Sequence, residues 1–363
     1  MSTPAVRWAI LAEASFGPLE AKTAIGVLRY RPEDVAAVLD STRAGRTAAD
    51  CVGVGGEIPV VGTVEEAAAL GGRALLIGIA PAGGRLPEPW RPALRRALEH
   101  GWDVVSGLHA FLADDPELAS LARAHGARLR DLRRPPAGLR VALGRAERLD
   151  ALIVLTVGTD CNCGKMTAAL EVQRELRARG RAAAFVATGQ TGMVIEGRGI
   201  AVDAIPGDFL AGAAETLVLE AAREAEVVIV EGQGSLFHPG FSGVTLALMH
   251  GVCPEALVLC HHWGRERLRI SSPDVPVPPR VPTLAVAREA YERAAAWVRP
   301  ARVVAAALNT SGLGEPEARA ACAAAERELS LPATDPVRFG AAPIADAVAA
   351  VRPARGLRAR PAP

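Results

Sequence analysis

The chain has almost no lysine. Of its 41 basic residues only Lys22 and Lys165 are lysines, and the rest are arginine. A drift that replaces lysine by arginine throughout should spare an ammonium only where one is needed. The scarce carboxamides behave alike: Asn162, Gln190, Gln233 and Asn309 follow apolar runs in Gly- or Ser-rich segments, with Gln173 as the exception. A charge excess is also missing. The net charge is +1 with both signs spread along the chain, which excludes the electrostatic footprint of nucleic-acid or anionic-membrane binding. No apolar run reaches about 18 residues, and the first twenty residues contain Glu13 and Glu20 instead of a basic stretch followed by an apolar one. Neither a membrane span nor a secretory leader is therefore expected, and the cytoplasm is the expected compartment. The six cysteines, Cys51, Cys161, Cys163, Cys253, Cys260 and Cys322, lack the spacing of a disulfide framework and read as free thiols.

What is present fits two globular domains: 363 residues, 50% hydrophobic and 22% charged. Short apolar runs at 6–12, 35–39, 58–61, 74–79 and 103–105 alternate with helix-like stretches at 64–70 and 90–99, which predicts a parallel α/β sheet. The turn-prone segment RRPPAG (133–138) interrupts the series, and a second one starts near Leu152. Strands are expected at 152–157, 182–187, 227–230, 256–260 and 303–308, and helices at 167–179, 209–225 and 315–329. The expected organisation is a Rossmann-like parallel-sheet domain over 1–148, a P-loop NTPase-like parallel-sheet domain over 149–351, and a frayed Pro/Arg-rich tail over 352–363. In the first domain Lys22, Asp40-Ser41-Thr42 and Gly78–Gly84 are strand-tip candidates, but none forms G-x-G-x-x-G.

The strongest motif is ALIVLTVGTDCNCGKMTAAL. An apolar strand runs into Gly158, five residues follow, and Gly164 and Lys165 open a helix. That geometry aims backbone N–H groups and a helix N-terminus at a phosphate, with Lys165 as a point charge. The expected anion-binding residues are Gly158, Thr159, Asp160, Cys161, Asn162, Cys163, Gly164, Lys165, Met166 and Thr167. Two departures from G-x-x-x-x-G-K-[ST] stand out: the loop has one extra residue, and Met166 occupies the place of the hydroxyl that ligates magnesium. Losing that ligand weakens the case for nucleotide hydrolysis and leaves the grip on a pyrophosphate intact. Cys161-x-Cys163 lacks a second ligand pair at zinc spacing.

A second apolar strand ends in Glu231, followed by Gly232-Gln233-Gly234-Ser235, where small residues allow close backbone approach. At the carboxyl edge of a doubly wound sheet Glu231 is a candidate general base or metal ligand. Together with Asp160 it would hold magnesium, if magnesium is used. A third strand ends in Gly189-Gln190-Thr191-Gly192, so three loops are expected to converge at one edge. His238 and His261 follow strand tips and are candidate general bases near neutral pH, while Gln190 and Gln233 are candidates to steady an oxyanion.

GTDCNCGK and VEGQGS resemble the loops of dethiobiotin synthetase and its P-loop relatives. There the glutamate, matched here by Glu231, and a loop threonine ligate magnesium. A longer resemblance, to the D-glutamate N-acetyltransferase family, formerly a domain of unknown function, runs through GLHAFLADDPEL (107–118), GTDCNCGKMT (158–167), FVATGQTG (185–192), EGQGSLFHPGFSGVTLALMHG (231–251) and ALVLCH (256–261). It implies a Rossmann-like domain followed by a P-loop domain, with N-acetyl transfer from acetyl-CoA to a D-amino acid. A P-loop without its magnesium hydroxyl is suited to the coenzyme A pyrophosphate. This chain departs from the family pattern at His262-Trp263-Gly264, where an acidic or proline-containing stretch usually follows LCH. The expected reading is thus an acetyl-CoA-dependent N-acyltransferase of a small amino acid, acting as a homo-oligomer. The alternative is an ATP- and Mg2+-dependent ligase or carboxylate-activating enzyme.

Overall fold

In a computed structural model the described residues are 7–18, 20–270 and 274–351. They form two compact units. The first comprises residues 1–135 with 190–204, and the second 136–189 with 205–363. The tail expected over 352–363 lies outside the described residues.

The first unit is built on six parallel strands: β1 (Trp8–Leu11), β2 (Val35–Leu39), β3 (Val60–Val61), β4 (Ala74–Ile77), β5 (Asp103–Ser106) and β6 (Leu129–Asp131). Their order is β3-β2-β1-β4-β5-β6, that of dinucleotide-binding Rossmann sheets. The central strands β2 and β4 are buried at every residue, as expected when helices cover both faces. In such folds the acid ending β2 binds a ribose. Here Asp40, fully buried at that position, instead accepts from the N–H groups of Ala14 (3.2 Å), Phe16 (3.0 Å) and Thr42 (3.0 Å). The acid thus ties down the loop after β1.

The second unit contains β7 (Leu152–Gly158), β8 (Ala183–Val186), β9 (Val227–Val230), β10 (Ala256–His262), β11 (Arg302–Asn309) and β12 (Ala333–Thr334), in the order β12-β11-β10-β7-β9-β8 and parallel throughout. β7 is central and buried along its whole length. Its carboxyl end feeds the P-loop and is flanked by the ends of β9 and β10, so the fold itself gathers the chemistry-bearing loops. β6 and β12 were not expected, because at three and two residues they carry no readable apolar run.

The division of the chain falls at Pro135/Pro136, whereas the sequence placed it near residue 148. Residues 140–148 pack on the second unit: the N–H groups of Leu143 (3.2 Å) and Arg145 (2.6 Å) donate to the buried Glu215 carboxylate, and the Arg145 guanidinium pairs with it at 2.8 Å. Burial raises the Glu215 pKa, but the Arg145 guanidinium and these N–H groups outweigh it and hold the carboxyl below its usual value. The second difference is residues 190–204, which the expected P-loop domain of 149–351 includes. They begin the helix Gln190–Glu196, which belongs to the first unit. Thr191 Oγ1 lies 2.8 Å from Thr23 Oγ1, and Ile195 O accepts from Arg31 at 2.9 Å. No helix among the described residues is long and apolar enough to cross a membrane.

Candidate functional site

The site of the second unit is assembled around Lys165. Gly164 (φ +103°) turns the loop into the helix Lys165–Ala178 and has no side chain with which to cap it. The N–H groups of the first turn therefore have neither an intrahelical acceptor nor a side-chain cap, the condition for anion binding. Lys165 is 7% exposed, and its Nζ donates to Asp160 O at 2.9 Å and lies 3.6 Å from Cys163 Sγ. Gly158 must be glycine, since a Cβ there would come within 2.4 Å of Cys163 Sγ. Met166 is buried in the helix start. All six cysteines are free thiols. Burial pushes the Cys253 thiol up to about 11 and the Cys260 thiol upward as well.

The Asp160 carboxylate is engaged by the protein itself. It accepts from Arg265 Nη1 (2.9 Å), Arg269 N (2.9 Å) and Cys161 N (2.7 Å). Arg265 also donates to Cys161 O (2.7 Å) and Asn162 O (3.3 Å), so one guanidinium fixes the loop from outside. Of the magnesium pair expected from Glu231 and Asp160, Asp160 thus faces a guanidinium. Among the described residues Asp160, Cys161 and His238 bring ligand atoms within 4.8 Å of one another. A thiol, an imidazole and an arginine-paired carboxylate do not suit magnesium, which takes oxygen ligands.

Glu231, ending β9, is buried, and its Oε2 accepts from Thr188 N (3.0 Å) and Gly189 N (3.1 Å). It thus ties the end of β8 to the end of β9. Gln233 Nε2 donates to Thr188 Oγ1 (3.1 Å). These two predicted residues do come together with the P-loop strand, through Gly232 N donating to Thr156 Oγ1 at 2.9 Å. Gln190 does not join them. Its Oε1 accepts from Arg133 Nη2 (2.9 Å) within the first unit, so its carboxamide supports Arg133.

The histidines divide. His238 is buried. Its Nδ1 accepts from Gly240 N (3.2 Å), its Nε2 lies 3.4 Å from Arg269 O, and its ring packs 4.8 Å from that of Phe241. With Nδ1 accepting and Nε2 donating, this ring keeps no lone pair for a substrate proton, which argues against the expected role of general base. His261 Nδ1 lies 2.9 Å from Thr159 Oγ1, and the ring lines a cleft of about 360 Å³ with Trp263, Arg265, Val281, Thr283 and Glu328. Burial, then His262 and Arg265, push its pKa down to about 4. Its folded pKa is depressed below the unfolded value of about 6.5, so its contribution to stability is complete above pH 6.5 and is lost as pH falls toward 4. His261→Asn is predicted to flatten the fall in melting temperature between pH 6.5 and 4; an unchanged slope would contradict the assignment.

Tyr291 was missed by sequence reading. Fully buried on the helix Leu284–Ala296, its hydroxyl donates to Gly158 O (2.7 Å) and accepts from Leu236 N (3.2 Å), fixing the start of the P-loop to the loop after Glu231. The available signal was scarcity: the chain has only two tyrosines. Tyr291→Phe should destabilise by about 1–3 kcal/mol, because buried Gly158 O and Leu236 N each lose a partner. A urea midpoint within error of wild type would refute that.

The first unit has its own cleft of about 280 Å³ after β4 and β5, lined by Pro81, Gly83, Gly84, Leu108, His109 and Arg133. Arg133, 7% exposed, donates to Gly107 O (2.7 Å) and pairs with Asp203. Of the strand-tip candidates, Gly83 and Gly84 line this cleft, while Asp40 is engaged by the loop after β1.

Residues 140–345 match the family described as "Domain of unknown function (DUF1611_C) P-loop domain", and residues 41–135 match "Domain of unknown function (DUF1611_N) Rossmann-like domain". The chain is 41% identical over 334 residues to a D-glutamate N-acetyltransferase of Tritonibacter scottomollicae, covering 92% of this chain and 95% of that protein. It is 37% identical over 276 residues to a D-glutamate N-acetyltransferase of a Pseudoalteromonas species, covering 76% and 81%. The crystal structure of a DUF1611 family protein from Anabaena variabilis superposes with a TM-score of 0.88 at 40% identity, covering 94% of this chain and 99% of that one.

Proposed function

This chain belongs to the DUF1611 family, and from that premise we propose that it is an acetyl-CoA-dependent N-acetyltransferase acting on the amino group of a D-glutamate-like amino acid. The transferase class follows from relatives at 41% and 37% identity that share one activity. The observation that carries the choice of donor is the chemistry of the P-loop. It offers an ammonium at Lys165 and uncapped helix N–H groups, but Met166 replaces the magnesium hydroxyl and Arg265 occupies Asp160. That set suits a pyrophosphate held without a metal, which is what coenzyme A presents.

In the transfer, the substrate nitrogen attacks the thioester carbonyl, the C–N bond forms, the C–S bond breaks, and the coenzyme leaves as its thiol after taking up a proton. The pantetheine arm separates the thioester from the pyrophosphate by many bonds, so the groups around Lys165 grip the donor and others act on the acyl carbon. His261 is the group we assign to the amine proton. In the tautomer that donates Nδ1–H to Thr159 the Nε2 lone pair is available, and a pKa of about 4 keeps the ring neutral at pH 7. The carboxylates of a glutamate-like substrate raise its proton affinity as they approach. Glu231 and His238 act as positioning residues for the surrounding loops, and the second amide N–H of Gln233 is the candidate donor to the oxyanion.

Mass spectrometry of reactions of the purified protein with D- and L-amino acids and either acetyl-CoA or MgATP tests this reading. N-acetylated product with acetyl-CoA alone is expected. Amino-acid-dependent release of ADP or AMP with no acetylated product would replace it by the ligase reading.

A further inference from the structure

We propose that an arginine strap beside the P-loop, formed by Arg267, Arg269 and Arg280, is a binding subsite for a ribose 3′-phosphate and selects coenzyme A over nucleotides that lack it. This rests on the acetyl-CoA reading above and adds the group that distinguishes the donor.

The strap is the segment after β10. Leu268 N donates to Pro279 O (2.9 Å) and Val281 N to Glu266 O (2.8 Å), and these two bonds flank an antiparallel bridge between Arg267 and Arg280. Flanking bonds of this kind mark a non-hydrogen-bonded cross-strand pair, in which side chains come closest. Two like charges directly opposite one another there are destabilising. Arg267 donates to Pro278 O (2.8 Å), a neutral carbonyl, and no carboxylate pairs with Arg267, Arg269 or Arg280 among the described residues. Other arginines face carboxylates: Arg91 with Asp115, Arg128 with Asp103, Arg179 with Glu175, Arg299 with Glu255. This group has none and adjoins the phosphate loop through Arg269 N.

Leu268 is 3% exposed, and in an extended segment Arg265, Arg267 and Arg269 share the opposite, exposed side. The Arg265 guanidinium reaches Asp160, Cys161 O and Asn162 O, and the free backbone edge of the strap meets the loop through Arg269 N, which donates to Asp160. The strap is thus fastened to the anion site while presenting three cationic forks with N–H groups to spare. Guanidinium forks match the bidentate geometry of a phosphate. In coenzyme A the second phosphate sits on the same ribose as the pyrophosphate arm, so a pyrophosphate at Lys165 needs a neighbouring subsite for it, and the strap adjoins that loop. ATP and ADP have a hydroxyl there.

Titration calorimetry with coenzyme A and with 3′-dephospho-coenzyme A tests the subsite on the wild-type protein, without any substitution. Coenzyme A is expected to bind at least about tenfold more tightly, the scale of one charge-assisted contact. In Arg267→Ala/Arg280→Ala the two ligands should bind alike, at the affinity of wild type for the dephospho form, and the melting temperature of the ligand-free protein should not fall, since a repulsion has been removed. Equal binding of both ligands by wild type would overturn the subsite while leaving the acetyltransferase reading in place. Binding of neither, with tight binding of MgATP, would overturn both.

Discussion

Lys165→Met is expected to lower kcat/KM for acetyl-CoA roughly 100-fold while leaving the protein folded, since hydrogen bonds to a charged group are worth up to about 3 kcal/mol. Nζ is the one side-chain cation placed inside the P-loop, where it donates to Asp160 O at 2.9 Å. A phosphate replaces that carbonyl as its acceptor and adds opposite charge. In the methionine variant Asp160 O still accepts from Cys163 Sγ at 3.2 Å, so no buried carbonyl is orphaned and the melting temperature should move little. Lys165→Arg should fail almost as badly. The stem runs between two glycines: a Cβ on Gly232 would lie 3.1 Å from Lys165 Cδ and one on Gly158 3.2 Å from Nζ. A planar guanidinium has no room there. This is the physical reason that a chain with arginine at nearly every other basic position keeps lysine here. Wild-type kinetics for Lys165→Met would remove the P-loop from the mechanism.

The sequence made the P-loop, its flanking strand and helix, and Glu231 legible because each is a local pattern: an apolar run, a glycine turn and a helix start within about twenty residues. Residues whose roles depend on distant partners were not legible in this way. Arg265 is one of many arginines until the fold sets it against Asp160, 105 positions away. Tyr291 meets Gly158 across 133 positions. Gln190 reads as part of the P-loop domain, because nothing between Thr188 and Gln190 signals that the chain leaves one unit for the other. The strands β6 and β12 are edge strands of three and two residues, too short to show a period. Asp40 was singled out as a strand-tip candidate, yet only the structure reveals that the loop after β1 engages it.

The glycines after Glu231 carry the other large effect. Gly232→Ala is expected to destabilise the protein by about 3 kcal/mol or more, the upper range for forced overpacking. Small residues in this loop are expected to allow close backbone approach, and at Gly232 the approaching backbone is the protein's own. The added Cβ would lie 1.7 Å from Thr156 O and 2.8 Å from Thr156 C, on the central strand β7. Backbone atoms of a strand buried on both faces cannot move aside as the end of a flexible side chain can. The bond from Gly232 N to Thr156 Oγ1 at 2.9 Å would be lost as the two strands separate. Donor binding should fall with it, because the Lys165 stem is the next atom in the way. Gly243→Ala gives the contrast: in the helix Ser242–Val252, with nothing within 4 Å of the new Cβ, it should leave stability unchanged or raise it by up to about 1 kcal/mol. Chemical denaturation of the two variants side by side separates a glycine required by the protein's own backbone from one that is merely small. A wild-type midpoint for Gly232→Ala would mean that β7 and β9 can part without cost.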